Sequence, residues 1–171
     1  VTTQDIFEYA ERAGSLPTTS SINEATYLDV FGNYLDQGYQ VIHISLSSEI
    51  SSCYQNACLA AEELGNVFVV DSRSLSSASG LLAVIAAELA AEDRIAGAIV
   101  SDLNNLKGKL DCSFILQTLE YLHKGGRVSK AAAVVGTMLN IKPGLIIDDE
   151  GKLEVVTKTR GKQAAMKKLV D

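Results

Sequence analysis

The chain has 171 residues, of which 47% are hydrophobic and 21% are charged, so it can bury one good core or two small ones. Its formal net charge of −6, with acids and bases interspersed, disfavours nucleic acid and anionic lipid surfaces as partners. No uncharged apolar stretch approaches the ~18 residues of a membrane span, and the first residues lack the basic and apolar segments of a secretory signal. The sequence therefore predicts a soluble, cytoplasmic globular protein without integral membrane association.

The cysteines and histidines argue against disulfide and metal chemistry. Cys53, Cys58 and Cys112 are odd in number and lack CxxC spacing, which favours buried thiols in a reducing compartment. His43 lies in a strand-like run and His123 in a short amphipathic segment, so the two histidines do not form a ligand cluster. We expect neither a metal site nor a cofactor.

The first two thirds of the chain alternate between helical and strand patterns. Apolar residues recur near a period of 3.6 in some segments, and short β-branched apolar runs separate these segments. The predicted order is helix 3–13, helix 27–35, strand 39–46, helix 53–64, strand 66–71, helix 81–89 and helix 95–106. Apolar strands that alternate with helices predict an α/β domain with a parallel sheet and right-handed crossovers.

The pattern changes after a strand predicted at 111–116. A sharp break at 124–127 precedes an alanine- and valine-rich helix at 129–139, a hairpin of strands 145–147 and 153–157, and a closing helix at 161–170. We therefore predict two domains divided near Cys112: an α/β domain with a parallel sheet at 1–112, and a smaller, partial α+β domain at 113–171.

Two clusters of hydroxyl residues precede predicted helices. One is 18–21, and the other is 45–52, which follows a strand where open parallel sheets commonly form ligand sites. Helix N-termini expose N–H groups and a positive dipole end, so hydroxyl donors placed there suit a carboxylate or another small anion. Serine and threonine are also ordinary helix caps, and the pattern alone leaves both interpretations open.

Catalytic and nucleotide-binding patterns are weak. Ser48 has only His43 nearby in sequence and no GxSxG elbow, and neither GxGxxG nor GxxxxGK[ST] occurs. Arg127 and Arg160 are cations at loop edges, where arginine can recognise an oxyanion, anchor a protein partner or tie loops together. We therefore expect a protein that is not an enzyme.

Six segments in the same order resemble the DegV family, which is also described as the fatty-acid-binding subunit of bacterial fatty acid kinase. Leu16-Pro-Thr-Thr-Ser20 is similar to the family's P-x-T-S segment, the stretch 46–55 to its S-S-G-L-S-G-T-Y-Q segment, and 70–73 to its V-D-S turn. Further similar segments are 119–130, 139–143 and 158–162. The resemblance covers essentially the whole chain and implies a DegV-like fold.

The resemblance implies a carrier for a long-chain fatty acid. In the family the acyl chain lies in an apolar tunnel and its carboxylate meets hydroxyl groups, which match Thr19, Ser20, Ser47 and Ser48 of this sequence. The bound fatty acid would be the ligand, with no cofactor. The alternatives are a binding protein for another small carboxylate ligand and a truncated relative that binds nothing.

The resemblance further implies a partner, the catalytic subunit of a fatty acid kinase, which phosphorylates the acyl group that the carrier presents. Arg127 and Arg160 are the candidate contacts with that partner.

The sequence also departs from the family pattern. Glu49 and Ser52 stand where the family has glycines, which could narrow the approach to the head group or place an acid near it. The usual N-terminal strand ending in Asp-Ser-Thr and the C-terminal segment with histidine before Gly-Pro-Gly are not found in the sequence, so we expect a central portion or a truncated form of such a protein.

Overall fold

The computed structural model describes residues 1–15, 19–129 and 141–170. The helices are α1 (Thr3–Ala13), α2 (Glu24–Leu35), α3 (Cys53–Leu64), α4 (Ser76–Ala91), α5 (Ala96–Leu106), α6 (Glu120–Lys124) and α7 (Lys162–Val170). The strands are β1 (Val41–Ser45), β2 (Val67–Asp71), β3 (Ser113–Ile115), β4 (Ile141–Ile147) and β5 (Leu153–Arg160), and a 3₁₀ turn spans Lys107–Lys109. The helix predicted at 129–139 falls almost entirely outside the described residues.

The ends of α1 follow from local chemistry. The Thr2 side chain accepts a hydrogen bond from the Asp5 N–H at 3.2 Å, and the Thr2 N–H donates to the Asp5 carboxylate at 2.6 Å. This reciprocal pair satisfies two N–H groups that a helix start leaves unbonded. Gly14 ends the helix with φ 65°, the left-handed conformation that glycine commonly adopts after the last helical residue.

β1 and β2 form the predicted parallel sheet. They pair in register from Val41 opposite Val67 to Ser45 opposite Asp71. Because successive side chains of a strand point to opposite faces, β1 divides its apolar residues between two cores. Ile42 packs with the core that contains Leu82 of α4, and Val41 packs with the core that contains Phe31 of α2. Helices therefore cover both faces of the sheet, as parallel sheets require.

The second sheet has the strand order β3-β4-β5. The Leu116 N–H donates to the Pro143 carbonyl at 3.1 Å and the Ile147 N–H donates to the Cys112 carbonyl at 2.9 Å, so β3 and β4 run antiparallel. β4 and β5 form the predicted hairpin around residues 148–152.

Contacts divide the chain into two compact units. The first comprises residues 1–20, 114–145 and 154–171, and the second comprises 21–113 and 146–153. The division near Cys112 stays a prediction of domain organisation, although the contact units differ from it at residues 1–20 and at the hairpin tip. Within the described residues, no helix combines the length and apolar character needed to cross a bilayer.

Candidate functional site

The carboxyl ends of β1 and β2 carry two serine-rich loops of the second unit. The Ser72 N–H donates to the Ser45 carbonyl at 3.1 Å, and the Ser47 N–H donates to the Ser74 carbonyl at 2.8 Å. The backbones of the two loops therefore remain hydrogen-bonded beyond the last strand residues. This edge is where open parallel sheets commonly place their ligands.

Ser47 is buried and its hydroxyl is engaged. It donates to the Gly151 carbonyl at 2.7 Å and accepts from the Glu49 N–H at 3.2 Å. Gly151 lies at the tip of the β4–β5 hairpin with φ 90°, and a Cβ atom there would stand 2.3 Å from the Ser47 oxygen. Only glycine permits this approach, so the hairpin tip and the turn after β1 support each other.

Ser48 is half-buried and bonds to the last residue of β2. Its hydroxyl lies 2.7 Å from one carboxylate oxygen of Asp71, and its N–H donates to the other at 3.3 Å. The Arg73 N–H also donates to Asp71, at 2.9 Å. Asp71 therefore orders both loops by accepting hydrogen bonds from each of them.

Further polar groups surround Asp71. The Lys107 ammonium donates to the Asp71 carbonyl at 3.1 Å. Burial lowers the pKa of Lys107, the charge of Asp71 opposes this effect, and the charge of Arg73 adds to it. Tyr54 of α3 has a raised pKa, first through a hydrogen bond with Cys58, then through burial and, as a smaller cause, the charge of Asp71. Arg73 and Lys107 also line a polar cavity of about 340 Å³.

His43 belongs to an aromatic cluster. Its ring centroid lies 5.2 Å from that of Tyr27 and 5.4 Å from that of Phe31. Burial lowers the pKa of His43, and its buried Nε2 atom has no hydrogen-bond partner among the described residues. Ser48 is hydrogen-bonded to Asp71 and not to this histidine, so the pair does not form the nucleophile and base of a serine hydrolase.

The other predicted site residues lie in the first unit. Thr19 and Ser20 are exposed in the segment that follows α1. Arg127 is exposed after α6, where its guanidinium donates to the Gly125 carbonyl, and Arg160 is exposed at the end of β5.

Two residues of this region were not among the predicted site residues. Asp71 lies in the segment 70–73 that resembles the family's V-D-S turn, and Gly151 lies between the two strands of the predicted hairpin. The position of Asp71 could have been inferred, because the carboxyl ends of adjacent parallel strands meet at one sheet edge. Among the described residues, no group of three or more His, Cys, Asp or Glu side chains could hold a metal ion.

Sequence relatives agree on one family. A DegV domain-containing protein of Clostridium perfringens is 32% identical over 164 residues, which are 92% of this chain and 56% of the relative. A DegV domain-containing protein of Listeria innocua is 34% identical over 174 residues. This match covers 100% of this chain and 61% of the Listeria protein. The chain thus spans less than two thirds of the curated relatives it matches.

Solved structures share the fold. A DegV family protein from Thermus thermophilus, described as binding fatty acid, matches with a TM-score of 0.87 and 31% identity over 99% of this chain and 61% of that protein. DegV of Bacillus subtilis, described as a fatty acid binding protein, matches with a TM-score of 0.78 and 28% identity over 98% of this chain and 60% of that protein. The family model described as "Uncharacterised protein, DegV family" matches residues 1–171. The chain therefore belongs to the DegV family.

Proposed function

We propose that this protein binds a long-chain fatty acid in an apolar tunnel and acts as a carrier of that fatty acid. The observation that carries the proposal is the match over 99% of the chain to a Thermus thermophilus relative described as binding fatty acid. Burial of an acyl chain contributes roughly 0.8 kcal/mol per CH₂ before the costs of binding, so the chain supplies affinity while polar groups fix the head group.

Four hydroxyl residues are the candidates for contact with the carboxyl head group. Of Ser47 and Ser48, we propose Ser48 as the stronger candidate, because its side chain is only half-buried whereas that of Ser47 is buried. The Ser47 hydroxyl already donates to Gly151, so we propose that Ser47 contributes by holding the turn in place. Thr19 and Ser20 are exposed. Because they match the hydroxyl residues of the family's P-x-T-S segment, they are the second pair of candidates for contact with the head group.

We further propose that the carrier performs no chemistry and presents the carboxyl group to a fatty acid kinase. This role rests on the family resemblance. Arg127 and Arg160 suit it, because both are exposed and a guanidinium can bind an acidic partner surface bidentately.

Native mass spectrometry, followed by denaturing lipid extraction, tests the carrier role on protein purified from bacteria without added ligand. We expect a stoichiometric adduct that is released as a long-chain fatty acid, and we expect Ser48→Ala to reduce its occupancy. Ser101→Ala is the matched control, because Ser101 is an exposed serine of α5 in the same unit and lies outside both hydroxyl clusters.

Two results would count against fatty-acid binding. A short polar carboxylate in place of the fatty acid would favour the alternative ligand class. Protein that is empty and also fails to take up added fatty acid would exclude a carrier role.

The kinase role needs its own experiment. Phosphorylation of protein-bound fatty acid by a fatty acid kinase should slow in Arg127→Gln and Arg160→Gln, while fatty-acid occupancy stays unchanged. Arg94→Gln is the control, because Arg94 pairs with Asp102 at 2.6 Å in the other unit. Equal rates in all three variants would remove both arginines from the proposed contact.

A further inference from the structure

The hydrogen bonds around Ser48 and Asp71 limit which form of a carboxyl ligand can bind. A serine hydroxyl has one proton to donate, and an ionised carboxylate only accepts. The 2.7 Å contact between the Ser48 oxygen and Asp71 uses that proton. The Ser48 oxygen therefore offers only lone pairs to a ligand.

A ligand carboxylate has only lone pairs as well. If it replaced Asp71 as the acceptor, the charge-assisted hydrogen bond between Ser48 and Asp71 would be lost. If the ligand instead arrived with its proton, it could donate to the Ser48 oxygen, and Ser48 would still donate to Asp71. Both hydrogen bonds form only when one additional proton enters the site.

The charges near Asp71 do not remove this constraint. Among the described residues, no cation forms an ion pair with the Asp71 side chain, because Lys107 donates to its carbonyl and Arg73 donates through its backbone N–H. Tyr54 is neutral near pH 7, since its pKa is raised. Glu49 is exposed and lies 3.8 Å from Lys152. A second carboxylate bound at Ser48 would thus face the negative charge of Asp71 across a single oxygen atom.

We infer that Asp71 is a specificity-determining residue, which makes the protein bind its fatty acid together with one proton that the head group and the Asp71 carboxyl group share through Ser48. This inference rests on the proposed function. It also implies that a neutral head group that can donate a hydrogen bond, such as that of a fatty alcohol, is accepted at Ser48 without any proton uptake.

Isothermal titration calorimetry with decanoic acid and 1-decanol tests the inference between pH 7.0 and 8.5. Titration in two buffers with different ionisation enthalpies gives the number of protons bound. For decanoic acid we expect uptake of about one proton and an affinity that falls about tenfold per pH unit. For 1-decanol we expect no proton uptake and no dependence on pH.

Asp71→Asn provides the decisive variant. The asparagine amide can donate to the Ser48 oxygen, which frees the Ser48 hydroxyl for a ligand carboxylate. We therefore expect proton uptake to disappear and decanoate to bind more tightly than to the wild type at pH 8.5. Circular dichroism checks that the Asp71→Asn protein is folded. If it is not, the comparison of decanoic acid with 1-decanol on the wild type still tests the inference.

Two control variants test whether the proton uptake depends on Asp71 or on the charged residues near it. Glu49→Gln and Lys107→Gln should both retain the uptake of about one proton. Decanoate binding without proton uptake, or uptake that disappears in Glu49→Gln or Lys107→Gln, would overturn the inference while leaving fatty-acid binding intact. Failure of decanoic acid, 1-decanol and an eighteen-carbon fatty acid to bind between pH 7.0 and 8.5 would refute the proposed function itself, and the inference with it.

Discussion

Replacing Gly151 by alanine should destabilise the second unit by more than the cost of placing an alanine in a left-handed backbone conformation. The new Cβ atom would lie 2.3 Å from the Ser47 oxygen and 3.2 Å from the Arg73 Cα atom. The hairpin tip must then move, and the buried hydrogen bond from Ser47 to the Gly151 carbonyl is lost. Overpacking costs about 1–3 kcal/mol, a broken buried hydrogen bond about 1–3 kcal/mol, and a left-handed alanine about 1–2 kcal/mol.

Gly38→Ala is the matched control for this substitution. Gly38 belongs to the same unit and has φ 84°, close to the 90° of Gly151, but a Cβ atom there meets nothing within 4 Å. Urea denaturation should therefore show a loss of about 3–8 kcal/mol for Gly151→Ala and about 1–2 kcal/mol for Gly38→Ala. Equal losses in the two variants would refute the reasoning, because they would mean that the contact with Ser47 contributes nothing.

Two further predictions concern the core of the second unit. Leu82→Ala should reduce the free energy of unfolding by about 2–5 kcal/mol in urea denaturation, because Leu82 is fully buried. Leu81→Ala, at an exposed position of the same helix, should change it by less than about 1 kcal/mol, and similar losses would contradict this account of the core. Because burial lowers the pKa of His43 from its usual 6.5, the unfolded chain takes up a proton before the folded one does. Stability should hold above pH 6.5 and fall below it, by at most about 1.4 kcal/mol per pH unit from this residue, and His43→Phe should flatten that part of the stability profile.

The sequence predicts local elements well and distant contacts poorly. The apolar runs of β1 and β2 predict two strands, and Gly14 predicts the end of α1, because each of these features depends on neighbouring residues. The hydrogen bond from Ser47 to Gly151 joins residues 104 positions apart, and the bond from Ser48 to Asp71 joins residues 23 apart. Such contacts form only when the fold brings the loops together, and residue types alone do not reveal them.

The same limit explains why the serine-rich loop was open to two interpretations. The two neighbouring serines have different hydrogen-bond partners. The Ser47 hydroxyl donates to Gly151 of the hairpin, and the Ser48 hydroxyl donates to Asp71. Neither side chain accepts from an N–H at the start of α3, so simple helix capping does not account for this pair. Their roles follow from what faces each hydroxyl, and the sequence does not specify these partners.

The departure from the family pattern at Glu49 has a structural counterpart. Its backbone N–H donates to the Ser47 oxygen at 3.2 Å, while its carboxylate lies 3.8 Å from the Lys152 ammonium on the hairpin. An exposed ion pair of this length contributes little stability, but it directs the carboxylate toward the hairpin lysine. The acid that is hydrogen-bonded to Ser48 is Asp71, and not Glu49, which follows Ser48 in sequence. Glu49 is the neighbour of Ser48 along the chain, whereas Asp71 is its neighbour across the paired strands β1 and β2.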